Sequence, residues 1–568
     1  MSKVFSAIPI SPGMALGQLH PCDSQSPPPA KAAELDLDTL LQQELSALDT
    51  LLLRQDLTPS ERQLLEADRL LLDDGELRLE IHHRLDAGDA LHSAIGQVLG
   101  EHADLLATLD DPQMLKRSRD VRSLGQRMAR RSRGESLSLP QDLAENTILA
   151  VPELTAAEFI QLPKQHLSGL ILAQGTSTDH LAILLRSAGL PGIVLEDACQ
   201  RLCAGPVLLD GDAGQLTVAT QASDQALFAD AMTRWRQQQR HFDERLPQPA
   251  VTGDGERVWL FGNIGSDEEA ALIPKTGLDG VGLLRTEFLY MAEGGWPSAE
   301  RQYLLYRAIA RQLEGRPLVI RSFDFGADKN LPGLALQEPN PALGVRAIRL
   351  GLQQPEHLKT QFEAVVRLAM EYPVKLLLPM VSLVEELHAL RRVLDEVKQR
   401  LRMTPDLPLG MMVETPAAAC CLELFAPYLD FASIGSNDLT QYCLAADRLN
   451  PRVSPHYPAL SPPLLRILRY CCGTSLRHGL PLSLCGDLGA DSRAIWLLLA
   501  MGLRQLSIPA GQSGPVKHLI HQYRHQQGRK LLEKALECDT CEQLNTLLND
   551  CLAAGLSATI GSNFAPPS

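Results

Sequence analysis

The sequence predicts a multidomain α/β chain in which an α/β domain carries an inserted helical bundle and is followed by a (β/α)8 barrel of the TIM type. Three observations predict it. Short apolar runs near the N-terminus break off and resume at Ile148, and the stretch between them reads as amphipathic helix. From Val258 onward, eight apolar runs alternate with helical patterns, as a barrel of parallel strands requires. At 568 residues with 45% hydrophobic residues the chain can bury more than one core.

Taken in order, VFSAIPISPGMALGQLH reads as a strand, a Ser-Pro-Gly turn and a second strand. Residues 1–22 are too short to fold alone. They are assigned to one α/β domain with residues 148–222, where ILAVPEL, GLILAQ, GIVL, VLLD and LTVAT supply further strands. Between them, segments such as LDTLLQQELSALDTLLL and SERQLLEADRLLLDDGELRLEIHHRL are rich in Leu, Ala, Gln and acidic residues with few β-branched ones, so 23–147 is the helical insert. A polar helix, AMTRWRQQQRHFDERL, and the Pro/Gly-containing PQPAVTGDG form a linker over 223–254. The barrel occupies 255–545, with strands at VWLFGNI, GVGLL, PLVIRS, VKLLLPM, LGMMVE, DFASIG, LSLCG and LRQLSIP; residues 546–568 are a helix end and tail.

Composition narrows the partners. A net charge of −15 argues against nucleic acid or an anionic membrane surface and suits a basic protein partner. No apolar run is long enough to cross a bilayer and the N-terminus lacks the apolar core of a signal peptide, so a cytoplasmic protein is expected. The pairs Cys420-Cys421 and Cys471-Cys472 sit in apolar helical patterns and read as reduced, buried thiols. Cys538-x-x-Cys541 lacks a second ligand pair nearby, which weakens a zinc or redox reading.

Two places carry chemistry. Gly169–Gln174 reads as a strand, Gly175–Asp179 as a turn and Leu181–Leu190 as a helix, which delivers His180 to a helix start. Free N–H groups there favour an anion, and a neutral imidazole is a nucleophile, so His180 can carry a phosphoryl group; from this stretch alone, a surface or capping histidine is the better fit. The second place is the barrel rim. Arg285, Arg321, Glu414, Asn437, Asp438 and Cys485 fall at the carboxyl ends of strands, where barrels build their sites. Arg285, Arg321 and Arg448 suit a phosphate or carboxylate, Lys329 could add positive charge, and Glu414 with Asp438 supplies hard oxygen ligands for Mg²⁺. The substrate expected is a small phosphorylated acid. Cys485 either gives a proton to carbon or packs as a small apolar residue.

The motifs GVGLLRTEFLYM, VIRSFDFGADK, NPALGVRAIRL, MMVETPAAA, IGSNDLTQYCLAADR and LCGDLGAD resemble those of Enzyme I of the bacterial phosphotransferase system, the phosphoenolpyruvate–protein phosphotransferases. ISPGMALG, LLEADRLLLDDGEL, DVRSLGQRMARR and HLAILLRSAGLPGIV resemble the N-terminal half of that family in the same order. The resemblance implies that phosphoenolpyruvate, held with Mg²⁺ in the barrel, phosphorylates His180 of a swivelling domain and leaves as pyruvate. HPr, or an HPr-like phosphocarrier, then docks on the helical insert and takes the phosphoryl group. By the same resemblance Cys485 is the proton donor to the enolpyruvate carbon, and Arg285, Arg321, Asn437, Asp438 and Arg448 hold phosphoenolpyruvate. The resemblance further implies that Glu414 and Asp438 bind Mg²⁺ and that the chain dimerises through its barrel.

The departures are in the histidine loop, where GTSTDH stands for the family's GGxTSH and sets Asp179 beside His180, and more mildly at Ala327, Ser436 and Asp487. They imply a paralogue serving a dedicated branch of sugar transport. Two other readings remain open: a phosphoenolpyruvate sensor that no longer transfers phosphate, and an enzyme of the dikinase or phosphoenolpyruvate synthase type. Against the last stands the want of a Gly-rich nucleotide loop in the N-terminal half.

Overall fold

The computed structural model describes residues 3–557 apart from 23–35, 55–56, 58, 109–111, 134–142, 153, 174–179, 220–221, 293–294, 327–337, 339, 449, 451–452 and 454–455. The chain divides into two compact units, Met1–Gln239 and Arg240–Ser568.

In the first unit, strands β1 (Lys3–Ser6), β2 (Ile8–Ser11) and β3 (Met14–Pro21) precede five helices, α1 (Leu37–Leu52), α2 (Pro59–Leu72), α3 (Gly75–Asp86), α4 (Leu91–Thr108) and α5 (Pro112–Ser132). The chain continues through β4 (Thr147–Val151), α6 (Ala156–Gln161), β5 (Leu167–Leu172), α7 (His180–Ser187), β6 (Gly192–Val194), α8 (Ala198–Arg201), β7 (Gly205–Asp210) and β8 (Gln215–Val218). Helix α9 (Ala222–Arg245) follows. One sheet holds all eight strands in the order β1-β8-β7-β3-β4-β5-β6-β2.

Strands β3 and β4 are parallel neighbours, Gln18 opposite Thr147 and Pro21 opposite Ala150. Parallel neighbours need a crossover connection, and the helical insert is that crossover. Period-two alternation divides β4 between two cores: Leu149 and Val151 pack with helical residues such as Leu40, Leu41, Ile95 and Leu99, while Ile148 and Ala150 pack with Ile171, Ile193 and Leu209 on the other face.

The structure corrects two boundaries in this unit. The first expected strand is two strands, broken at Ala7, because β1 pairs with β8 and β2 with β6 at opposite edges of the sheet. The Ala7 N–H donates to the Gly214 carbonyl at 2.7 Å, so a single residue spans the two edges and the sheet curls on itself. The run SERQLLEADRLLLDDGELRLEIHHRL is likewise two helices, since the Asp74 carboxylate accepts the Glu76 N–H at 2.9 Å and caps α3.

In the second unit β9 (Trp259–Ile264), β10 (Val281–Leu284), β11 (Leu318–Arg321), β12 (Val374–Leu378), β13 (Leu409–Val413), β14 (Phe431–Gly435), β15 (Leu482–Cys485) and β16 (Gln505–Ile508) close a barrel. Every pairing is parallel, and each strand falls on one of the eight apolar runs. Leu283, Val319, Leu377, Met412, Phe431 and Cys485, one from each of six consecutive strands, form an apolar cluster. The boundary expected at residue 545 falls inside the helix Cys541–Ser557, whose Leu544 and Leu548 are buried in the barrel's outer core.

None of the twelve cysteines is in a disulfide. Cys471 and Cys472 are buried as expected, but Cys420 is exposed at the end of the short helix Pro416–Cys420. Among the described residues no helix is long and apolar enough to cross a membrane.

Candidate active site

His180 is the first residue of α7, the helix that follows the buried strand β5. Leu181, Ala182, Leu184 and Leu185 bury one face of α7. The preceding loop, with Thr176, Ser177 and Asp179, lies outside the described residues.

The barrel rim holds a chain of alternating charges. Arg321, the last residue of β11, is only 4% exposed; its Nη2 donates to Glu287 Oε2 at 3.0 Å and its Nη1 stands 3.2 Å from Asp324 Oδ2. Glu287 lies in the helix Thr286–Ala292 that follows β10, and its Oε1 accepts the Asp324 N–H at 2.5 Å. Asp324 grips Arg346, taking 2.9 Å bonds from Nη2 on both oxygens and a 3.1 Å bond from Nε. Arg346 Nη1 then donates to Asp438 Oδ1 at 3.2 Å and to the Tyr442 hydroxyl at 3.0 Å, and Asp438 Oδ2 faces Arg448 Nη1 at 3.8 Å. Such a fork-to-carboxylate arrangement fixes both partners. Gly326, at φ +101°, has to be glycine: an added Cβ would meet the Arg346 Cβ at 2.6 Å.

Glu414 follows β13 and is fully buried. Its Oε1 accepts the Met380 N–H at 2.6 Å from a residue held at φ +58°. Its Oε2 has no hydrogen-bond partner among the described residues, and neither does Arg321 Nε. Burial first, then the charges of Asp438 and Asp324, push the Glu414 carboxyl up to about 7 against the pull of Arg321 and Arg346. Arg321 keeps its charge although burial opposes it, because Glu287, Asp324 and Glu414 surround it.

A cation therefore fits beside Glu414. Four buried carboxylates, Glu287, Asp324, Glu414 and Asp438, meet two buried guanidiniums, Arg321 and Arg346, and Glu414 Oε2 has no partner among the described residues. Among the described residues no group of three or more His, Cys, Asp or Glu side chains is arranged to hold a metal. A two-carboxylate site completed by substrate phosphate and water is what Mg²⁺ accepts.

Asn437 and Asp438 open the helix Ser436–Cys443 after β14. Asn437 is held by Asp487, Nδ2 to Oδ2 at 3.1 Å and Oδ1 from the Asp487 N–H at 3.1 Å. The structure corrects the placing of Cys485 on a polar rim. It ends β15 but is 1% exposed and packs in the apolar cluster. Its Sγ accepts from the Ser433 hydroxyl at 3.2 Å. Burial pushes the thiol up to about 11; the Ser433 bond and the charges of Arg321 and Arg285 pull it down. It is an S–H at neutral pH.

Of the expected residues, Arg321, Glu414 and Asp438 share one network, Cys485 lies within the electrostatic reach of Arg321, Arg285 and Glu414, and Arg448 borders Asp438. Lys329 lies outside the described residues. Glu287, Asp324, Arg346 and Tyr442 were not anticipated. All four stand inside the motif stretches, but only as parts of strings.

Comparison with known proteins agrees with this architecture. The model of the PEP-utilising enzyme PEP-binding domain matches residues 239–525, that of the N-terminal domain 6–117 and that of the mobile domain 143–214. The chain belongs to the PEP-utilising enzyme family. Among relatives, the phosphoenolpyruvate-protein phosphotransferase of Enterococcus faecalis is 31% identical over 509 residues, 87% of this chain and 88% of that protein. That of a Bacillus species is 30% identical over 561 residues, 95% of this chain and 97% of its own. The multiphosphoryl transfer protein of Xanthomonas campestris is 33% identical over 530 residues, which are 90% of this chain and 62% of that longer protein. The family's PEP-binding model spans all eight barrel strands, and its mobile-domain model spans the helix that His180 opens.

Proposed function

We propose that this chain is a phosphoenolpyruvate–protein phosphotransferase, in which the barrel binds phosphoenolpyruvate and His180 receives its phosphoryl group. The observation that carries the reading is the buried charge network ending in two atoms without a partner among the described residues, Arg321 Nε and Glu414 Oε2. Phosphoenolpyruvate presents a phosphate and a carboxylate. Arg321, with Arg285, Arg448, Lys329 and Asn437, supplies donors for both; Glu414 and Asp438 would hold Mg²⁺, which when bound neutralises phosphate charge.

The reaction asks for positioning and charge neutralisation. The bond between phosphorus and the enol oxygen breaks as a bond from phosphorus to a nitrogen of His180 forms. The enolate left behind takes a proton at its methylene carbon from the Cys485 S–H and leaves as pyruvate. A thiol held near 11 stays protonated until the enolate forms, which suits a donor. His180 then passes the group to HPr or an HPr-like phosphocarrier docked on the helical insert, in a cytoplasmic enzyme that is a homodimer through its barrel and feeds sugar transport. The net charge of −15 favours a basic carrier.

Incubation with phosphoenolpyruvate labelled in its phosphate and with Mg²⁺ should give an acid-labile, base-stable label that is lost in His180→Ala. An unlabelled wild-type chain that still binds phosphoenolpyruvate would replace this reading with that of a sensor.

A further inference from the structure

Resting on the activity proposed above, we infer that Glu287 is a positioning residue: it touches no substrate but fixes the Arg321 guanidinium so that Nε and the N–H groups not taken by carboxylates are left for the substrate's anionic group. Glu287 is fully buried and both its oxygens are engaged, one by Arg321 Nη2 at 3.0 Å and the other by the Asp324 N–H at 2.5 Å. Asp324 takes Nη1 of the same guanidinium. Each terminal nitrogen of the fork thus gives one N–H to a carboxylate, and Nε has no partner among the described residues.

The neighbouring residue works on the same target from the backbone side. The Thr286 hydroxyl donates to the Arg321 carbonyl at 3.2 Å, and Gln361 donates to Thr286 while accepting the Phe323 N–H at 3.0 Å. Consecutive residues of one short helix therefore hold both the main chain and the side chain of Arg321.

A charge is needed at Glu287, not merely a filler. A carboxylate in a dry interior is costly unless a cation answers it, and apolar or amide side chains fill such volumes at lower cost. Without that charge, Arg321 would be drawn toward the remaining carboxylates, Asp324 and Glu414. Its fork would then turn away from substrate and cover the oxygen that Glu414 leaves open. Glu287 holds Arg321 back from Glu414, and so serves two binding groups through one.

The test uses the full-length chain with phosphoenolpyruvate and Mg²⁺, reading autophosphorylation of His180 over a range of substrate concentrations. Glu287→Gln keeps shape and an acceptor oxygen but removes the charge. It should raise the KM for phosphoenolpyruvate by about tenfold or more, with the smaller part of the loss in kcat. In an Arg321→Lys background the same substitution should add less than about twofold, because its partner fork is already gone.

Losses that multiply in the double variant, or an unchanged KM in Glu287→Gln, would overturn the proposal while leaving the activity reading intact. Should Glu287→Gln melt below the assay temperature, the cycle is run with the equally uncharged Glu287→Met, below its own melting temperature and under the same criterion. A wild-type chain that neither binds nor uses phosphoenolpyruvate overturns the activity reading, and this inference with it.

Discussion

Replacing Glu414 by Gln should stabilise the metal-free barrel at pH 8 and leave its stability nearly unchanged at pH 4. The carboxyl is held at about 7 in the folded state against 4.5 ordinarily. Between those values the folded chain keeps a proton that the unfolded chain releases, so wild-type stability falls as pH rises through this window. A displacement of that size corresponds to about 3 kcal/mol, lost in full above pH 7. Relaxation of Asp324 and Asp438 makes this an upper figure. The glutamine does not titrate, and its stability should lack that slope.

Urea unfolding of the full-length chain, followed by tryptophan fluorescence, reads the barrel, since Trp259, Trp296 and Trp496 lie in it and only Trp235 does not. Added Mg²⁺ at pH 8 should restore the wild type and leave the variant unmoved, because the ion binds only the folded wild-type site. Parallel stability profiles for the two proteins would refute the raised carboxyl. An equal response to Mg²⁺ would remove Glu414 from the metal site.

His180→Ala should abolish labelling while calorimetric titration still detects phosphoenolpyruvate binding, since histidine and barrel lie in different compact units. Arg346→Met should cost about 3–5 kcal/mol of barrel stability by taking from the buried Asp324 and Asp438 the guanidinium they share, leaving Asp324 only Arg321 and Asp438 only the more distant Arg448, seen as a drop of several degrees in melting temperature. Under iodoacetamide at pH 7.5, mass spectrometry should find Cys420 modified well before Cys485, because the first is exposed and the second is a buried thiol near 11.

The barrel was legible because each strand is an apolar run set off by turn residues, a signal that survives in a single sequence. The sheet of the first unit was legible for the same reason, except where pairing overrode pattern: Ala7 breaks a continuous run only because its two halves pair with different edges. Functional groups that directly end a strand, such as Arg321 and Cys485, could be read from position alone. Arg346 could not. It precedes the helix Ile348–Gln353 with no strand in front of it, and an arginine reads as surface until Asp324 and Asp438 are seen around it. Glu287 was hidden likewise, because one acidic residue in a helix carries no mark of the buried cation it answers.

The crossover between β3 and β4 has a consequence for the order in which the first unit folds. Pro21 and Thr147 stand about 125 residues apart in the chain, yet their strands are immediate neighbours. Joining them from an unfolded chain closes a very long loop, whereas the helices between form from contacts close in sequence. A bundle that folds first draws the two strand ends together and shortens the search, so the sheet is assembled on the insert. Amides of α4 and α5 should accordingly become protected from hydrogen exchange during refolding before those of β3 and β4, and a destabilised bundle should slow formation of the strands that lead to the histidine.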